Sequence, residues 1–103
     1  MQHDLLQFVA ITTGGRAFDI DFPLHPETRS PAAVSELVSR LLETISEHAN
    51  GRDDVSDGDI LQALAMTAAI RGRMLDADPQ QIETLTRLLL DNAWEAVRQA
   101  HAY

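Results

Sequence analysis

The stretch SDGDILQALAMTAAIRGRM, residues 56–74, decides how this chain folds. Ile60, Leu61, Ala63, Leu64, Ala65, Met66, Ala68, Ala69 and Ile70 follow one another with only Gln62 and Thr67 between them, whereas a surface helix keeps a broad charged side. A helix with so little polar face must be covered on more than one side. Either the rest of the chain wraps it or a second copy does. At about 100° per residue, Ala68 falls with Ile60 and Leu64, while Ala69 falls opposite with Gln62, Met66 and Arg73. The expectation is that the first side packs into the monomer and the second meets another chain. Glutamate at position 68 would then destabilise the fold, and glutamate at position 69 would weaken association.

The flanks of this stretch carry their own start and stop signals. Ser56 caps helix two, expected over 56–75, with Asp59 three residues on. Upstream, Ser30-Pro31 is a helix start, and Val34, Leu37, Val38, Leu41, Leu42 and Ile45 then share one face of helix one, 31–50. Asn50-Gly51 ends it, because glycine takes the left-handed terminal conformation without strain. Downstream, Asp78-Pro79 opens helix three, 78–101, with Gln81 as capping-box partner. Its stripe of Ile82, Leu85, Leu89, Ala93, Val97 and Ala100 is broadened by Leu90 and Trp94.

The first residues follow a different period. Leu5 to Thr12 is apolar and β-branched, Gly14-Gly15 suits a two-residue hairpin turn, and Phe18, Ile20 and Phe22 alternate with Asp19 and Asp21. This predicts a β-hairpin over 1–23 and a connector over 24–30. The expected architecture is α+β: one domain, 1–103, with an N-terminal hairpin packed on three helices in the order ββααα and a central apolar second helix.

Composition narrows the function without naming it. The 103 residues include no cysteine, which removes disulfides, thiolate metal sites and thiol catalysis, and fits a cytoplasmic protein. No signal peptide or membrane span is expected, since the run from Leu5 to Ile11 is short and broken by Gln7. Sixteen acids against eight arginines, with no lysine, leave a net charge of −8, so direct nucleic-acid binding is not expected.

Motifs that carry chemistry are absent or incomplete. The cluster Asp53, Asp54, Asp57, Asp59 resembles a calcium loop, yet Val55 and Leu64 stand where two oxygen ligands are required. Its carboxylates instead suit the positive end of helix two. His3, His25, His48 and His101 fall in no metal-ligand spacing, and His48 fits a packing or capping role at the end of helix one. No cofactor, metal or catalytic residue is expected.

Arg71-Gly72-Arg73 is the basic spot in apolar surroundings, with Asp76 and Asp78 as nearby ion-pair partners and a carboxylate or phosphate ligand as the alternative. The ligand or partner-contact residues read from the sequence are Arg71, Arg73, Met66, Ala69 and Trp94. The leading expectation is a small acidic, non-enzymatic interaction module that forms a homodimer, any further protein partner being unidentified. The rivals are a binding protein or enzyme subunit that takes a small anionic ligand, and an acidic inhibitor that mimics nucleic acid.

Overall fold

In the computed structural model, which describes residues 4–12 and 14–102, the elements run β1 Leu5–Ile11, β2 Ala17–Pro23, α1 Pro31–Ala49, α2 Asp57–Arg73, α3 Pro79–Arg98 and β3 His101–Ala102. The α+β order of an antiparallel hairpin followed by three helices is the one the sequence predicts. His3 lies outside the described residues. The chain divides into two compact units, residues 1–36 with 87–103, and residues 37–86.

The first unit holds the sheet, in the order β1-β2-β3. Leu6, Phe8 and Ala10 lie opposite Phe22, Ile20 and Phe18, so the alternation in the two strands puts all six on one face. Ile20 on β2 and Ala96 on α3 are the two buried apolar residues of the described chain. The other face is tied by Gln7, whose Nε2 donates to Asp19 Oδ1 at 3.0 Å, but Leu5, Val9 and Ile11 also stand exposed there.

Two features of this unit depart from the sequence reading. The hairpin is closed by Thr12, whose N donates to Arg16 O at 2.8 Å, so the turn is one residue longer than a two-residue connection. Gly15 alone of the glycine pair has positive φ, at 82°, as the longer glycine-bulged turn requires. Helix three ends at Arg98, three residues early, and His101–Ala102 pairs antiparallel with β2. The apolar period gives no sign of this, because two residues are too few to show alternation.

The second unit holds the later part of α1, all of α2 and the start of α3. Gly51 closes α1 with φ 74°, and Arg52 N donates to Ala49 O at 3.1 Å. α2 opens with a complete capping box: Ser56 Oγ accepts from Asp59 N and Asp59 Oδ2 accepts from Ser56 N, both at 3.1 Å. At its other end Gly72 makes room for the Ile82 side chain, since a Cβ there would meet Ile82 Cγ2 at 3.0 Å.

No residue from 37 to 86 is buried. The sequence reading makes α2 central, but Leu61, Leu64, Met66 and Ile70 stay between 40% and 63% exposed. Ala68, expected to pack inward, is exposed as well. The second helix is therefore apolar without being enclosed.

Candidate functional site

An apolar cleft of about 420 Å³ lies between α1 and α2 within the second unit. α1 contributes Leu41 and Ile45, and α2 contributes Ile60, Ala63 and Leu64, each set falling on one face by the three-and-four spacing. Thr67 can join them because its Oγ1 donates to Ala63 O at 2.7 Å, which satisfies the hydroxyl inside the helix. Val55, in the connection, also lines the cleft. The side of α2 that carries Ile60 and Leu64 thus shares a cleft with α1, but it does not form the packed core that its sequence position predicts, since Leu64 and Ala68 stay exposed.

Polar groups stand at the capped end. His48 in the last turn of α1 and Asp59 in the first turn of α2 both line the cleft. Arg52 Nη1 lies 3.1 Å from His48 Nε2, and its Nε and Nη2 donate to the two carboxylate oxygens of Asp54 at 3.0 and 2.9 Å. A guanidinium only donates, so in this contact His48 Nε2 stands on the accepting side. The hydrogen bonds from Arg52 are the main cause that holds the Asp54 carboxyl below its ordinary value, and a backbone hydrogen bond adds to it. The acidic run is accordingly engaged at two places: Asp54 faces Arg52 and Asp59 caps α2. The calcium-like spacing has a local structural use.

The partner-contact residues read from the sequence fall into three groups. Met66, Ala69 and Arg73 share one face of α2 and are all exposed, Met66 to 57%. Arg71 lies on the Ile60 side in the last turn, exposed and outside the cleft lining. Among the described residues neither Arg71 nor Arg73 makes an ion pair, so the pairing with Asp76 or Asp78 is not formed. Trp94, 53% exposed, belongs to the first unit. His48 was legible only as a packing or capping residue, and Asp59 only as a cap. Their meeting at one cleft depends on how the 50–56 connection turns, which no periodicity encodes.

Compared with known proteins, the chain matches no family model, and no significant match is found among curated proteins or solved structures. Among the described residues no helix is long and apolar enough to cross a membrane.

Proposed function

We propose that this protein is a non-enzymatic, cytoplasmic module that acts by self-association, as a two-fold homodimer. One observation carries the reading: residues 37–86 contain three helical segments and no buried residue, while Leu37, Met66, Ile70 and Met74 are each more than half exposed. Apolar surface on that scale within one unit marks an association face in a water-soluble chain. A second copy is the commonest way to cover it. The absence of cysteine from the sequence supports a reducing compartment.

Sedimentation equilibrium tests this directly. A species of twice 11.4 kDa is expected at micromolar concentration, and Ala69→Glu should shift it to the monomer while helical circular dichroism is retained. A wild type that stays monomeric and cooperatively folded would overturn the reading.

The cleft favours a second reading, a small-molecule binding protein. Its volume is within the roughly 300–1,000 Å³ of ligand pockets, and its walls are apolar with His48 and Asp59 as the orienting groups. Arg71 and Arg73 are not part of it, so an apolar ligand suits it better than the anionic one expected from the sequence. A thermal-shift screen with small apolar molecules separates the two, since a saturable rise without change in mass belongs only to the second.

A further inference from the structure

We infer that two copies meet through α2, antiparallel, about a two-fold axis passing at Met66. The inference rests on the self-association reading and gives it a register. On α2, Asp59, Gln62, Met66, Ala69 and Arg73 recur at intervals of three and four residues, which places them in one line along the helix. All five are exposed. Asp59 also lines the α1 cleft and the other four are not among its lining residues, so most of the line is open to a partner while α1 lies beside its neighbouring side.

The line is self-complementary in one orientation only. Asp59 and Arg73 each lie seven residues from Met66, two helical turns or roughly 10 Å along the axis. In an antiparallel pair centred on Met66, Arg73 of each copy reaches Asp59 of the other, Gln62 comes near the partner's Ala69, and Met66 meets itself. A parallel pair would set carboxylate against carboxylate and guanidinium against guanidinium. The chemistry at the two ends is ready for this. Asp59 uses Oδ2 to cap its own helix while Oδ1 takes no part in the capping box, and among the described residues Arg73 has no ion pair. α2 is also acidic in its first turn and basic in its last, so antiparallel packing opposes unlike ends along its whole length. Ala69 permits close approach of the helices, and Ile70, 59% exposed, adds apolar area at the flank.

The natural chain has no cysteine, which makes the register directly readable by cross-linking. A residue on a two-fold axis faces its own copy, so under mild oxidation Met66→Cys should give a covalent dimer, and Leu61→Cys, on the opposite flank of α2, should not. Arg73→Glu should weaken dimerisation by about tenfold through two symmetric like-charge contacts. Mixed with Asp59→Arg, it should regain the dimer as a heterodimer, in which both end contacts join unlike charges. Circular dichroism on each variant checks that the helices persist. If wild type is dimeric but Leu61→Cys cross-links in place of Met66→Cys, or Arg73→Glu keeps its mass, this register is overturned while self-association stands. A monomeric wild type overturns both, and a complex only with a different protein assigns the line to that partner and overturns the two-fold.

Discussion

Gly72 shows how one missing methyl group shapes the second unit. In an exposed helix, alanine in place of glycine stabilises by about 1 kcal/mol. Here the added Cβ would come within 3.0 Å of Ile82 Cγ2, on a β-branched side chain with little rotamer freedom. Gly72→Ala should therefore leave the denaturation midpoint unchanged or lower it. In the background of Ile82→Leu, which removes that methyl, the same change should regain about 1 kcal/mol. Equal effects in the two backgrounds would deny the contact. Asp54 offers a second test. Its carboxyl is held low chiefly by Arg52, so its contribution to stability is present above the unfolded value and is lost as pH falls through the lowered folded one. The group is fully exposed, so the effect on stability is small and the better readout is the site itself. In an NMR titration Asp54 should protonate at lower pH than in the Arg52→Ala variant, where it returns toward the ordinary aspartate value.

At the scale of elements, caps and turns explain where each helix begins and ends. The Ser56 capping box satisfies two backbone donors at the start of α2, and Ser56→Ala should cost about 1 kcal/mol in urea unfolding. The loss should be smaller for Ser56→Asp, which keeps an acceptor. β3 tests the sheet in the same way. It pairs His101 with Asp19 and Ala102 with Phe18, along the strand that also carries buried Ile20. Removing residues 101–103 should speed amide exchange along Phe18 to Ile20 while leaving helical content unchanged. Protection that survives the deletion would mean β3 adds nothing to the sheet.

For the whole molecule, association and folding are linked. If the apolar faces of 37–86 are covered by a second copy, the melting temperature should rise with protein concentration, a hundredfold increase being worth about 2.7 kcal/mol. Ala69→Glu should abolish that dependence. A concentration-independent melt of the wild type would place the stability of this chain within the monomer.

Most of what is local in this protein follows from the order of its residues alone. The hairpin, the three helices and their starts at Ser30, Ser56 and Asp78 were all legible, because each follows from periods of two or 3.6 residues and from side chains that satisfy backbone groups a few positions away. The line through Met66, Ala69 and Arg73 was legible for the same reason. The pairing of His101–Ala102 with β2, the approach of Gly72 to Ile82, and the meeting of His48 and Asp59 at the cleft belong to the tertiary structure. The exposure of α2 belongs there too: composition shows that a helix is apolar, but whether its own chain covers it depends on where the connections lead. Each of these joins residues about ten or more positions apart, and such contacts depend on how connections turn in space, which the local pattern of side chains does not specify.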